Sequence, residues 1–442
     1  QCNISIGECA ACCLSTGGCN VAMGQNAGRG YSSGSINISI GQNSGAQSGN
    51  STGSGNISIG KVGQCISSGS ANIAIGCGVN MSTGNVTGDS NISIGPYAGR
   101  RLTSGGYNTF IGSSAGRYTT SGSRNQFIGI SAGSKNETGC ENIAIGCHAG
   151  SRATSGNHNT SIGRAAGFGN CTGHGNVAVG HSAGYGNRGS NNISIGATAG
   201  PADSCTNNVD NILIGRQVGS SLTSGCSNIF MGVCAGVNAG TATSAIVIGN
   251  CAGKCFSPSI NQHGSGYGNI FVGEYAGKCV TTGIVNVLIG KCAGCCLHGS
   301  HTTIAIGANA GAKTCAANDN VLIGTSAGEC NTTGSTNVMI GNKVGRVTTT
   351  GNNNIFLGQF AGCHNVGGSS NVYVGNCSGY KTQGHNNVMI GLSAGHNRCG
   401  NKFNFNTLVG RSAGTSCGTL AFGNFDVFVG YTAGKCYTGS CS

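Results

Sequence analysis

The sequence predicts an all-β protein, a parallel β-solenoid (a β-roll or β-helix) of about 25 coils with a 17-residue modal period. First, the motif Asn-Ile-x-Ile-Gly-x-x-Ala-Gly recurs along the whole chain of 442 residues, as at Asn91–Gly99. Second, 85 residues are Gly, against roughly 7% in an average protein. Third, no segment keeps the 3.6-residue period of a helix. Stacked repeats account for all three, since one such unit cannot bury its own apolar face.

The spacing of the repeats defines the coils. A marker glycine ends each apolar strand, as Gly95, Gly112 and Gly129 do, and 15 of the 24 intervals between the 25 marker glycines have the modal length. Each of the three shorter intervals is followed directly by a longer one. We therefore expect residues 1–442 to form a single repeat solenoid without distinct caps. The longest interval, from Gly249 to Gly273, predicts a loop insertion at about 254–268.

Each unit predicts one short strand, a bend, a second extended stretch and a turn. The residue before the marker glycine is aliphatic or Met in all 25 repeats, and the residue three before it is mostly Ile or Val. These two positions share one face of a strand. We expect them to fill the core, stacked at about 4.8 Å, with the middle residue pointing outward. Asn leads the strand in 22 of 25 repeats, which predicts a ladder of stacked amides.

The middle strand residue becomes large and apolar in the second half of the chain. If it points outward, these side chains form a conspicuous exposed row. Either a second sheet or loop covers the row, or another subunit does, and we favour the subunit. The predicted lateral interface comprises Leu213, Phe230, Phe271, Leu288, Leu322, Met339, Phe356, Tyr373, Met389, Leu408 and Phe428.

Charge and acidity argue against several classes of function. The net charge is +12, but the positive residues are scattered, the densest clusters being pairs such as Arg100 and Arg101. A nucleic-acid binder usually gathers them into a stripe, so we expect no nucleic-acid partner. No apolar run approaches the ~20 residues of a membrane-spanning helix. The ten acidic residues are mostly isolated. We therefore predict no enzyme activity, no catalytic residues and no cofactor.

The 27 cysteines favour an oxidising compartment. The chain starts at Gln1 rather than Met, as after removal of a signal peptide, and we expect a secreted, extracellular protein. Cysteines at the same phase of neighbouring coils lie about 4.8 Å apart, within disulfide range. Candidate disulfides are Cys2 with Cys19, Cys234 with Cys251, Cys279 with Cys296 (Cys255 shares their phase), Cys363 with Cys377 and Cys399 with Cys417.

Metal binding is the alternative use of the cysteines. Cys9 with Cys12, and Cys292 with Cys295, have the Cys-x-x-Cys spacing of zinc ligands. No matching pair of His or Cys follows at zinc-finger spacing. We therefore predict no metal site.

Asn-x-Ser/Thr sequons predict N-linked glycans. Six sequons, including those at Asn37 and Asn91, begin with a ladder Asn, and we expect those amides to serve the ladder. The candidate glycosylation sites lie outside the ladder, at Asn50, Asn80, Asn85, Asn136, Asn170, Asn331 and Asn376.

The repeats resemble those of two kinds of fibrous protein. Asn142–Gly146 and Asn176–Gly180 resemble the head repeats of trimeric autotransporter adhesins of the YadA type. Asn108–Gly112 is similar to the Asn-Thr-x-Ile-Gly repeats of phage and large-virus fibre proteins. The resemblance implies a left-handed parallel β-roll and an extracellular adhesive or fibrous role.

These observations favour a structural subunit of a secreted extracellular fibre, stapled by disulfides and stacked head-to-tail through uncapped ends. Across such a junction the interval from Gly430 to the next copy's Gly7 equals one that the chain also uses internally, between Gly76 and Gly95. The expected partners are further copies of the chain, together with N-linked glycans. The alternatives are an adhesive or receptor-binding fibre shaft and, less favoured, an ice-binding solenoid. Candidates for a disulfide between subunits are Cys436, Cys13 and Cys441.

Overall fold

The computed structural model describes residues 2–47, 51–61, 67–79, 86–201, 207–256, 267–396, 404–415 and 424–436. Over these residues the fold is a parallel β-solenoid with a 17-residue period and no helix, which confirms the predicted fold class. Since the described part of the chain holds no helix, it offers none that could cross a bilayer. Most of the predicted insertion at 254–268 lies outside the described residues.

The chain divides into two compact units, Gln1–Arg216 and Gln217–Ser442. Each described coil contributes one strand of three residues. The first unit contains β1 (Ile4–Ile6), β2 (Val21–Met23), β3 (Ile38–Ile40), β4 (Ile57–Ile59), β5 (Ile73–Ile75), β6 (Ile92–Ile94), β7 (Thr109–Ile111), β8 (Gln126–Ile128), β9 (Ile143–Ile145), β10 (Thr160–Ile162), β11 (Val177–Val179), β12 (Ile193–Ile195) and β13 (Ile212–Ile214). The second contains β14 (Ile229–Met231), β15 (Ile246–Ile248), β16 (Ile270–Val272), β17 (Val287–Ile289), β18 (Ile304–Ile306), β19 (Val321–Ile323), β20 (Val338–Ile340), β21 (Ile355–Leu357), β22 (Val372–Val374), β23 (Val388–Ile390), β24 (Thr407–Val409) and β25 (Val427–Val429).

Within each unit, neighbouring coils pair in parallel and in register, in chain order. Ser5 of β1 lies beside Ala22 of β2, for example. The Ile4 N–H donates to the Asn20 carbonyl at 2.8 Å, and the Gly24 N–H donates back to the Ile6 carbonyl at 2.8 Å. The same pair of bonds recurs at each junction inside a unit. The groups with which a coil bonds the following coil therefore differ from those with which it bonds the preceding coil.

The strands face the opposite way from the prediction. In β7 the middle residue, Phe110, is fully buried, whereas Ile111 is 37% exposed. The cause is the ladder residue two positions before the middle one, because alternate residues of a strand share a face. Asn108 points inward, where its amide donates to the Gly122 carbonyl at 2.9 Å. An inward Asn therefore places the middle residue in the core and the flanking aliphatic residues on the outer face.

The predicted lateral interface is consequently wrong, because its residues form the core. Ten of the eleven side chains of this predicted interface are at most 1% exposed. The eleventh, Phe428, is partly exposed in the last described coil. The core residues thus reassigned are Leu213, Phe230, Phe271, Leu288, Leu322, Met339, Phe356, Tyr373, Met389 and Leu408. Stacked rings such as Phe356 on Tyr373, with centroids 4.8 Å apart, continue this core from coil to coil.

Two glycines make the narrow coil possible. The marker glycine Gly112 has φ +129, and a Cβ built on it would lie 2.5 Å from the Gly129 carbonyl oxygen of the next coil. Four residues later, Gly116 has φ +57 and faces the Phe110 ring. Only glycine combines these backbone angles with such close approach. Ala115 and Thr119 complete the buried interior of this coil.

Candidate functional site

The outer edges of β1 and β25 are the open ends of the described sheets. Ile4 and Ile6 are 52% and 56% exposed, and Val427 and Val429 are 67% and 68% exposed. The corresponding side chains of inner strands are less exposed, as Ile145 is at 37%. Within the described residues no strand pairs with either outer edge. An open edge with unused N–H and C=O groups is a template for another strand.

The asparagine ladder runs along each unit and confirms the sequence expectation. The Asn125 N–H donates to Asn108 Oδ1 at 2.9 Å, and Asn125 Nδ2 donates to the same oxygen at 3.1 Å. Asn125 Oδ1 in turn accepts the Asn142 N–H at 3.0 Å. Each ladder Asn therefore offers one side-chain oxygen to the next coil.

Asp426 occupies the ladder position of the last described coil. Its N–H donates to Asn406 Oδ1 at 2.7 Å, as a ladder Asn would. Its Oδ2 is buried and has no hydrogen-bond partner in the structure. Asp426 therefore continues the ladder on the side of the preceding coil, and it is the last ladder residue of the described chain.

An aliphatic strip covers the outer face of each unit. It consists of the first and third residues of the strands. The third residue is aliphatic or Met in every strand, and the first is Ile or Val except at Thr109, Gln126, Thr160 and Thr407. The third residues stay 36–40% exposed in many inner coils, including Ile59, Ile162, Ile289 and Ile390. No charged residue occurs at these positions in any of the 25 strands. A contiguous apolar surface on this scale is typical of an interaction site.

The cysteines form columns of thiols. Cys279 lies near Cys255 and Cys296, its phase partners in the adjacent coils, and burial is the main cause that raises its pKa. Burial likewise raises the pKa of Cys363, which lies near Cys377. The described members of the candidate pairs are free thiols in the structure, so their pairing stays a prediction. They are Cys2, Cys19, Cys234, Cys251, Cys255, Cys279, Cys296, Cys363 and Cys377; Cys399 and Cys417 lie outside the described residues.

The expected disulfide between subunits conflicts with one observation. Cys436 is already disulfide-bonded within the chain. Since a thiol forms one disulfide, Cys436 is not free to join Cys13 of another copy, and that expectation is corrected. Cys13 is an exposed thiol whose Sγ lies 4.0 Å from Cys12 Sγ. Cys441 lies outside the described residues.

The candidate glycosylation sites fall into three groups. Asn136, Asn170 and Asn331 are at most 5% exposed. Their side chains close a corner, as when Asn331 Nδ2 donates to the Gly334 carbonyl at 2.8 Å, so a glycan would have to break the coil and these three predictions are corrected. Asn376 is exposed and stays a prediction. Asn50, Asn80 and Asn85 lie outside the described residues.

Coil stacking also gathers cations that the sequence keeps apart. Five of them occupy two adjacent corner positions in four consecutive coils and form what we call the basic column: Arg100, Arg101, Arg117, Lys135 and Arg152. The Arg101 N–H donates to the Arg117 carbonyl of the next coil at 3.0 Å. The signal was present in the sequence, because all five lie five or six residues after a marker glycine. Reading the chain linearly, rather than by phase, missed it.

Within the described residues, no group of three or more His, Cys, Asp or Glu side chains is arranged to hold a metal ion. The Cys292–Cys295 pair belongs to the thiol columns. No family model matches the chain, and no curated protein matches its sequence. The open edges, the Asp426 carboxylate, the aliphatic strip and the basic column therefore carry the functional argument.

Proposed function

We propose that the chain is a structural subunit of an extracellular fibre in which copies stack head-to-tail. The observation that carries the proposal is the pair of open strand edges, β1 and β25, whose flanking side chains are more than half exposed. In inner coils the side-chain oxygen of a ladder Asn accepts the N–H of the next ladder residue. A second copy that continues the solenoid brings its Asn3 N–H to the Asp426 carboxylate.

The backbone groups of the two edges are complementary. By the register of β1 on β2, the Val427 N–H donates to the Asn3 carbonyl of the next copy, and the next copy's Gly7 N–H donates to the Val429 carbonyl. The exposed flanks of both edge strands lose contact with water at this junction, which adds hydrophobic stabilisation. The junction thus reuses the contacts that hold successive coils together.

Lateral association of the stacked chains completes the proposed fibre. The aliphatic strip is uncharged and repeats once per coil, so the strip of another copy matches its spacing along the whole unit. Association of β-sheet faces that interdigitate alternate rows is a known route to stable fibres. Secretion is the setting in which the many thiols would oxidise and staple neighbouring coils.

The test compares two substitutions of the Asp426 side chain. Asp426→Asn keeps the side-chain oxygen acceptor that inner coils use, and Asp426→Ala removes it. We expect the wild-type chain and Asp426→Asn to form long filaments under negative-stain microscopy, and Asp426→Ala to give predominantly short rods. Circular dichroism on all three checks that the coils remain folded.

A wild-type chain that stays monomeric at high concentration under both oxidising and reducing conditions contradicts the proposal. So do filaments of equal length in Asp426→Ala and Asp426→Asn, because assembly would then not use this edge.

A further inference from the structure

We propose that the basic column on the first unit binds a linear anionic polysaccharide. The column brings five cations to one outer corner of four consecutive coils, a span of roughly 15 Å at the coil spacing. Arg101, Lys135 and Arg152 are exposed, and Arg100 and Arg117 are half-buried. This interaction is separate from assembly, since the column shares no residue with the open edges or the aliphatic strip.

The column lacks compensating negative charge. Ion pairs in these coils involve Arg124 and His158, both with Glu141, and none of the five column residues among the described residues. Glu137 is the other acidic residue of this stretch, and it lies two positions beyond Lys135. Guanidinium groups suit oxyanions because their N–H fork can donate two parallel bonds.

Aromatic rings hold the arginines in place. Arg100 and Arg117 lie over the Tyr97 ring, both at 5.5 Å from its centroid. Arg101 and Arg117 lie over the Tyr118 ring at 4.7 and 5.2 Å. Such contacts restrict the rotamers of the long side chains and so lower the entropy lost when an anion binds.

The column continues beyond the tyrosines in the same alignment. Ser134 Oγ lies 2.9 Å from Ser151 Oγ in the next coil, and Lys135 and Arg152 follow these serines directly. Arg152 lies 4.9 Å over the Phe168 ring. The cations are therefore spaced by the coil repeat in a line.

Two features favour a polysaccharide over a single-stranded nucleic acid. A pyranose unit advances a linear polysaccharide by about the coil spacing of ~4.8 Å, so successive sugars can meet successive coils. Sequence-tolerant binding of single strands depends on bases stacking on open aromatic rings. Here guanidinium groups already lie over Tyr97 and Tyr118, which disfavours base stacking.

The probe is heparin, with chemically desulfated heparin as the low-charge control and oligo(dT) as the nucleic-acid control. The test variant is Arg101→Gln/Arg117→Gln/Lys135→Gln. The matched control variant is Arg29→Gln/Lys61→Gln/Arg164→Gln, which removes three exposed cations from the same unit outside the column. Binding is measured by fluorescence anisotropy with labelled heparin fragments of increasing length, at several salt concentrations.

We expect the wild-type chain to bind sulfated fragments, with affinity rising up to about four sugars, which match the four coils of the column. The test variant should lose about tenfold or more in affinity and have a salt dependence shallower by about three ion equivalents, while the control variant keeps most of its affinity. Equal losses in the two variants would mean that only net charge matters and would overturn the proposal. Oligo(dT) binding as tightly as heparin through the same three residues would reassign the column to nucleic acid, and absence of heparin binding would refute it.

Discussion

Gly116 lies against the ring of Phe110, and a Cβ built on this glycine would come within 2.6 Å of two ring carbons. Gly150 occupies the same position of a later coil, but its nearest neighbour is the Ala144 Cβ at 3.1 Å. The backbone angles of the two glycines are alike, with φ +57 and +56. The large buried residue of each coil is therefore accommodated by the missing side chain of this second glycine.

Gly116→Ala should destabilise the first unit more than Gly150→Ala does. Both substitutions place alanine in the left-handed region, at about 1–2 kcal/mol. Only Gly116→Ala also overpacks an aromatic ring, which costs a further ~1–3 kcal/mol. Denaturant unfolding of the two variants measures the difference. Equal losses of stability would contradict the packing that we describe.

Val285→Asn should stabilise the second unit. Val285 is a β-branched residue with φ +55, a conformation that such side chains adopt at a cost. Asn353 and Asn386 occupy the same position in other coils with φ +56, so the fold accepts Asn there. We expect a gain of about 1 kcal/mol, seen as a rise in Tm of about 2–4 °C. The control Val366→Asn, which changes a similarly exposed valine without a positive φ, should give no gain.

Cys295 should be among the least reactive thiols of the second unit at neutral pH. Burial, followed by the neighbouring Cys296, raises its pKa to about 12. Because the thiolate is the nucleophile and a raised pKa keeps the thiol protonated, alkylation should be slow at pH 8 and accelerate towards pH 12. Mass spectrometry of iodoacetamide-treated protein, with the exposed Cys315 as the internal reference, measures the two rates. Equal rates at pH 8 would contradict the burial of this thiol.

Ile128→Lys/Ile162→Lys should separate the proposed fibre into single filaments. Both side chains lie on the aliphatic strip, at 36% and 38% exposure, so lysine is accepted without disturbing the core. Charges on the strip oppose lateral burial of its neighbours. Negative-stain microscopy should show thinner filaments of unchanged length, whereas Ile128→Val/Ile162→Val should keep the wild-type width. Bundles of wild-type width in the lysine variant would exclude this face as the lateral contact.

The positions of the strands could be predicted because glycine spacing is written directly in the sequence. β6 and β9, for example, lie where the motifs of Asn91 and Asn142 place them. The ladder was also predictable, since the same Asn recurs with and without a sequon. These features are local, and they repeat often enough for their phase to be unambiguous.

The direction of the side chains was not predictable from apolar periodicity alone. A strand that alternates Ile, Ser and Ile fits two orientations, and the aliphatic pair favours the wrong one. The deciding contact links Asn91 Nδ2 to the Gly105 carbonyl at 3.0 Å, across the coil. Combining the predicted ladder with the two-residue period would have predicted the correct orientation, because an inward Asn places the aliphatic pair on the outer face.

The buried middle residue differs greatly among the coils, from Ser39 and Ser58 to Phe356 and Tyr373. In a linear array each coil is stabilised by itself and its immediate neighbours, so local differences are not averaged over the molecule. Serine-centred coils bury less apolar area, and the Ser58 hydroxyl is buried without a partner. Amide hydrogen exchange should therefore be fastest around these coils. A stretched filament should unfold first at these coils, one coil at a time, while its aromatic segments stay folded.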